Sequence, residues 1–339
     1  MRYLTAGESH GKYLAGILEG FPAGVKVTKD HIAAQLRRRR LAPGRSARQA
    51  AENDEFEIVS GMRGGLTTGA PVCVLLKNSV RTIPRSSSVP RPGHADLAGM
   101  LKYGTMDAVL IRERASARET AARVALGSFA LRLHELLGIS ITSKVTALDG
   151  QDAVNSGTTE ARILRARRAG DTLGGIFEVT VGNLPAGLGD FNHWDLRLGS
   201  RLAAAMLGIN GVKGFEVGGG FGLAAMGGIE ALKHPELSGG LDGGMTNGRA
   251  LTLRCAVKPV PGLPGGAPSA DLRGFRKKLS VSKTSDTTAV FAAAVVGEHA
   301  AALELAGALL DKFGGDSIGE ILPRVEQWRK TTKRTLSGL

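Results

Sequence analysis

The sequence predicts an α+β chain built from two related halves. Three observations carry that expectation. Segments of helical periodicity alternate with short alternating apolar runs, and no long Pro/Ser linker separates the halves. A Gly-rich turn feeding a strand occurs twice, about half the chain apart. Gly64-Gly65-Leu66-Thr67-Thr68-Gly69 precedes the alternating run 72–76, and Gly243-Gly244-Met245-Thr246-Asn247-Gly248 precedes 251–257. Finally, 339 residues of which 42% are hydrophobic suffice for a large core and are too apolar for disorder. One domain over 1–339 is therefore expected, with residues 64–76 echoed at 243–257.

The elements follow in order. Thr28 caps a helix in which Ile32, Ala33 and Leu36 share a face. It runs into Arg37-Arg38-Arg39-Arg40 and stops before Pro43-Gly44. Residues 56–59 and 176–181 read as strands. Ser116-Ala117-Arg118-Glu119 has the spacing of a capping box. Behind it, Ala121, Val124, Ala125, Ser128, Leu131 and Leu136 form an apolar stripe that Gly138 ends. Two further Ala/Leu-rich helices are expected over 195–207 and 298–313. The longest irregular stretches are expected over 78–95 and 258–290, lengths that usually carry function or disorder.

Composition narrows the chemistry. Aromatic residues are 4%, so the core must be aliphatic, and 48 glycines imply many tight turns or close approaches. A net charge of +13 points to an anionic partner. Cys73 and Cys255 are isolated in apolar runs, which gives neither a metal site nor a disulfide framework. Glu8 and His10 stand where a signal peptide needs an apolar stretch, and no uninterrupted apolar run approaches the ~18 residues of a membrane span. A cytoplasmic protein with no membrane partner is expected.

Six constellations could carry chemistry. Gly7-Glu8-Ser9-His10-Gly11 matches a hydrolase elbow, but too little chain precedes it for a central strand. It also fails as a P-loop, because Tyr13 follows Lys12. What remains is a histidine held between glycines. Arg91-Pro92-Gly93-His94-Ala95-Asp96 presents a second histidine from a rigid turn, a position suited to general acid work near neutral pH. Arg45 and Arg48 lie in a loop beyond the arginine run, where forked guanidiniums suit phosphate or carboxylate. Nucleic acid is the rival ligand, but aromatic residues for base stacking are missing nearby. The capped start at 112–120, flanked by Arg112, Arg114 and Arg118, suits an anion. Lys258-Pro259-Val260-Pro261-Gly262 and Lys283-Thr284-Ser285-Asp286 are a fixed strand exit and a polar loop cluster. Gly218-Gly219-Gly220-Phe221-Gly222 lacks dinucleotide-binding spacing.

Taken together and in this order, these segments resemble the chorismate synthase family along nearly the whole chain. The resemblance implies a β-α-β sandwich and a homotetramer. It implies a lyase that eliminates phosphate from 5-enolpyruvylshikimate-3-phosphate to give chorismate, the last step of the shikimate pathway. Reduced FMN is required without net redox change. By resemblance, His10 protonates the leaving phosphate, His94 sits near flavin N1, and Asp286 helps flavin N5 act as base. Arg39, Arg45 and Arg48 hold substrate anions, and Arg39 and Arg45 also match positions assigned to NADPH as reductant. Arg114, Ala115, Ser116, Gly243, Lys258, Pro259, Val260, Pro261, Gly262 and Thr284 match flavin-contacting positions. The chain departs from the family pattern at Arg40, Ala42-Pro43, Ala115, Gly262 and Thr284, where Gln, Gly-Tyr, Ser, Thr and Arg are usual. Ala115 loses a hydroxyl donor, and Lys283 stands beside Thr284 to restore a charge.

Overall fold

The structure, a computed structural model, describes residues 1–46, 52–79, 85–153, 155–282 and 285–336. Alternating apolar residues near the N-terminus build a first antiparallel sheet. Its strands are β1 (Arg2–Gly7), β2 (Tyr13–Glu19), β3 (Phe56–Ser60) and β6 (Val72–Lys77), in the order β1-β2-β6-β3. The short strands β4 (Met62–Arg63) and β5 (Leu66–Thr67) form a small hairpin between β3 and β6. Leu14, Leu18, Val72, Val74 and Leu76 all turn to one face and are buried.

A second antiparallel sheet forms from β7 (Ser140–Leu148), β8 (Gln151–Asp152), β9 (Gly175–Gly182), β10 (Val212–Val217) and β13 (Leu251–Val257), in the order β10-β13-β9-β7-β8. It too carries a small hairpin, β11 (Leu241–Asp242) with β12 (Met245–Thr246), just before β13. The two small hairpins are tied down alike. Thr67 Oγ1 accepts from Val25 N at 3.0 Å and donates to Pro22 O at 2.6 Å. Thr246 Oγ1 accepts from Leu188 N at 2.8 Å and donates to Pro185 O at 2.6 Å.

Between the sheets lies a layer of helices. The helices in chain order are α1 (Lys29–Arg40), α2 (Asp96–Tyr103), α3 (Ala108–Ala115), α4 (Thr120–Leu136), α5 (Ser156–Ala169), α6 (Leu198–Leu207), α7 (Gly228–Lys233), α8 (Val290–Phe313) and α9 (Ile318–Leu336). Helix α4 packs on β2 and β6, α8 packs on β7 and β9, and the two helices pack on each other. Small residues allow this. A Cβ at Gly127 would lie 2.5 Å from His299 Cβ, and one at Gly297 would lie 2.6 Å from the Phe177 ring. Helix α8 is long and apolar enough to cross a membrane, yet 89% of its apolar window is buried in this layer.

Several sequence expectations change. Helix α4 is buried all round rather than along a stripe, because a sheet covers one side and α8 the other. Ser116 caps a 3-10 turn, Ala117–Glu119, and not a capping box, since Glu119 turns away to Arg123 at 2.9 Å. Gly138, with φ +66°, does end α4. Helix α6 starts at Leu198 and α8 at Val290, so α8 begins well before 298. The stretch 258–290 contains a regular hairpin, β14 (Ala267–Asp271) with β15 (Arg276–Ser280).

Candidate active site

The N-terminal histidine turn is fixed from three sides. Gly7 has φ +99°, and a Cβ there would sit 2.4 Å from Tyr13 O, so only glycine allows this tight exit from β1. Asn78 Nδ2 donates to Glu8 O at 2.9 Å and to Gly11 O at 2.8 Å. Ser9 N donates to Glu113 O at 3.0 Å, which ties the turn to the end of α3. His10 then meets the Glu113 carboxylate twice, through its backbone N–H and through Nδ1, each at 2.7 Å. Glu113 is 7% exposed.

The second histidine turn is held by a buried carboxylate. Asp96 accepts from Arg91 N, Nε and Nη2, at 2.9, 3.0 and 2.9 Å, and from Arg112 Nε at 2.7 Å. Burial opposes its ionisation, but these donors hold Asp96 below the usual carboxylate range. His94 has no such partner. Burial, with help from the Arg91, Lys258 and Arg112 charges and against the pull of Asp96, pushes it down to about 4. The protein's own groups thus favour the neutral imidazole of His94. Its buried Nε2 has no hydrogen-bond partner among the described residues.

Both turns open on one cleft of about 860 Å³, a size suited to a cofactor with a small substrate. Ala115, Ser116, Lys258, Pro259, Val260, Pro261 and Asp286 also line it. Asp286 is oriented by Arg45 Nη1 at 2.6 Å and by Ser46 N at 2.7 Å, so the Arg45 guanidinium is engaged with this carboxylate. Ser116 Oγ accepts from Arg118 N at 3.2 Å. Asn210 Nδ2 donates to Ala115 O at 3.1 Å.

Other expected residues lie elsewhere. Arg39 is 2% exposed and lies beneath the wall, donating to Thr120 Oγ1 at 2.9 Å and to Ala117 O at 3.0 Å. Burial, aided by Arg45, lowers it to about 9. It braces the 3-10 turn and does not line the cleft. Arg114 reaches out to Thr5 O at 2.7 Å. Gly243 sits at the exposed tip of the second small hairpin, with φ +59° and nothing near a Cβ. Gly262 packs behind the wall, where a Cβ would lie 2.4 Å from Ser285 Oγ, so a larger residue would not fit here without a shift. Arg48, Lys283 and Thr284 fall outside the described residues.

The structure also adds residues that the motifs did not single out. Glu113, Asn210 and Lys213 face the cleft, beside Arg91 and Arg112 from the second and fourth sequence segments. Arg91, Arg112, Lys213 and Lys258 make its wall cationic. The donor set fits a flavin phosphate and a substrate with one phosphate and two carboxylates. Two buried atoms have no hydrogen-bond partner among the described residues, His94 Nε2 and Asn210 Oδ1; such atoms are costly unless a ligand or water satisfies them, and the Asn210 oxygen, which only accepts, suits an N–H or O–H of a ligand rather than its anionic groups.

Comparison with known proteins agrees with this geometry. The family model described as chorismate synthase matches residues 1–310. The chain is 41% identical to the chorismate synthase of Desulforudis audaxviator (strain MP104C), covering 100% of both chains. It is 42% identical to that of Mycobacterium sp. (strain KMS), covering 97% of this chain and 95% of the relative. A crystal structure of chorismate synthase superposes with a TM-score of 0.79 at 33% identity, covering 98% of each chain. That match extends over the α+β fold with both sheets and the helical layer, and the chain belongs to the chorismate synthase family.

Proposed function

We propose that the cleft holds 5-enolpyruvylshikimate-3-phosphate beside reduced FMN, with His10 as the proton donor to the leaving phosphate. The family's reaction is this protein's reaction: phosphate is eliminated to give chorismate, in the shikimate pathway of aromatic amino acid biosynthesis. The observation that carries the residue assignment is the convergence of both histidine turns on one cation-walled cleft.

The cleft's own residues then divide the work. His10 gives its Nε2 proton to the phosphate oxygen as the carbon–oxygen bond breaks, so a less basic anion departs. Arg91, Arg112, Lys213 and Lys258 stabilise the charge that grows on that phosphate. His94, neutral, offers Nε2 as a hydrogen-bonding group to the flavin ring. Asp286, oriented by Arg45, sits at the flavin side and assists removal of the ring hydrogen. Reduced flavin, when bound, supplies the electron density that eases phosphate departure. Ala115, Ser116 and the segment 258–261 form the remaining flavin wall.

Three further readings have support. NADPH matches Arg39 and Arg45 only by position, and both are engaged inside the protein, so an external reaction is the better source of reduced flavin. The like ties of Thr67 and Thr246 support a single domain of two related halves. Exposed Leu4, Ile17 and Val59 on the first sheet support a homotetramer through covered sheet faces.

The test is phosphate release from 5-enolpyruvylshikimate-3-phosphate under anaerobic conditions, with and without photoreduced FMN. Release is expected only with reduced flavin. No release in its presence would sink the reading.

A further inference from the structure

Glu113 has been given no role of its own above, yet its carboxylate is nearly all buried and has a single ion-pair partner among the described residues, His10. One oxygen takes His10 Nδ1 at 2.7 Å. The other takes the His10 backbone N–H at 2.7 Å and Ser9 Oγ at 3.3 Å. A carboxylate is costly to bury unless it is paired and hydrogen-bonded. Here two of the three contacts go to the residue that delivers the proton, and the third goes to its neighbour Ser9, whose Oγ also lies 3.1 Å from His10 Nδ1.

We propose that Glu113 is the positioning residue of His10. This rests on His10 being the proton donor. The carboxylate fixes which ring nitrogen carries the held proton: Nδ1–H points at Glu113, so Nε2 is the atom that exchanges a proton with the phosphate. It also stabilises the imidazolium that must exist before the transfer, as a carboxylate does for a histidine in a hydrolase triad. Once Nε2 has passed its proton to the phosphate oxygen, the ring remains neutral with Nδ1–H still on Glu113, so no second proton moves. Because the backbone N–H of His10 is held by the same carboxylate, ring and main chain are aligned together. The tie of Ser9 N to Glu113 O adds a third link between the turn and the end of α3.

A merely structural staple would use the same hydrogen bonds, so the test must separate charge and ring orientation from anchoring. Glu113→Gln keeps an oxygen of the same reach for the backbone N–H and removes the charge. Steady-state turnover with photoreduced FMN is measured for wild type, Glu113→Gln, His10→Ala and the double variant, with Tm recorded for each. The expected result is a fall in kcat of about 10–100-fold for Glu113→Gln with KM little changed. In the His10→Ala background the same substitution should cost almost nothing more, because its effect passes through the imidazole. Equal losses in both backgrounds, or wild-type turnover in Glu113→Gln at unchanged Tm, would overturn the positioning role. Full activity in His10→Ala would instead overturn the proton-donor assignment. If Glu113→Gln fails to fold, Glu113→Asp serves in the same cycle, because it keeps the charge and withdraws it by one methylene. A fall in kcat that vanishes in the His10→Ala background supports the proposal, and an additive one defeats it.

Discussion

The two histidine turns look interchangeable as sequence, each a histidine beside glycine near a carboxylate, and the structure makes them opposites. His10 is bound at 2.7 Å to the carboxylate of Glu113, which comes from a distant helix. His94 has its own carboxylate two residues on, but Asp96 is taken by Arg91 and Arg112. One ring is thus provided with an anion and the other is left among cations and pushed down to about 4. The difference teaches that a histidine's role is set by which partners its neighbours have already claimed. His10 is equipped to carry a proton, and His94 to stay neutral.

The largest expected effect breaks that contrast at His10. His10→Ala and His10→Gln should each lower kcat by roughly 10²–10⁴-fold, since neither side chain can donate a proton at neutral pH. At His94 the two substitutions should diverge. His94→Ala should lower turnover by about 10²-fold, whereas His94→Gln, which keeps a neutral hydrogen-bonding group, should stay within about tenfold of wild type. If His94→Gln falls as far as His94→Ala, then His94 transfers a proton and the contrast fails.

Next in size is the carboxylate that leaves His94 unpaired. The Asp96 side chain is fully buried and pairs with two arginines. Asp96→Asn should lose about 3–5 kcal/mol in denaturant unfolding, because two guanidiniums lose their counter-charge in a buried site. An effect under about 1 kcal/mol would show that water already solvates Arg91 and Arg112.

Much of this was legible in the sequence, for physical reasons. Strands of both sheets, α1 and the Gly138 stop announce themselves through local periodicity and local caps. The early part of α8 precedes the expected helix 298–313, because Val290, Phe291, Val295 and Val296 carry weak local helix propensity and become helical where the layer buries them. The histidine turns were legible because glycine and proline mark them. Glu113 was not, because its partner is 103 residues away and the segment 112–120 reads as an anion site through its arginines, with no local signal that gives its one early carboxylate a role. Arg39 could have been placed. Ile32, Leu36 and Arg39 follow helical spacing, so this one arginine of the run falls on the buried stripe.

Acid stability sharpens the same comparison. The core histidines His134 and His299 resemble His94, for burial pushes each down to about 4. An unfolded histidine binds its proton near pH 6.5. Between pH 6.5 and 4 the unfolded chain therefore holds more protons than the folded one, and stability falls as pH falls. Each core histidine should remove up to roughly 3 kcal/mol across that window. His134→Gln should flatten the acid limb of unfolding free energy against pH, and an unchanged limb would show that His134 does not titrate across that window.

The smallest effect compares the glycines beside the two histidines. Gly93 has φ +71°, and a Cβ there would lie 2.9 Å from Pro261 Cβ, in the segment that walls the flavin side. Gly93→Ala must strain the backbone and displace that wall, at a cost of about 1–2 kcal/mol. At Gly11 the nearest atoms to a Cβ would all belong to Glu8, its Cβ at 3.3 Å and its backbone O at 3.5 Å, in a half-buried turn that can give. Gly11→Ala should cost within about 0.5 kcal/mol. Unfolding midpoints of the two variants decide the point, and equal losses would mean that the His94 turn is no more tightly built than the His10 turn. A larger loss at Gly93 is expected because His94 is held by backbone shape and packing, whereas His10 is held by the carboxylate it shares with its own main chain.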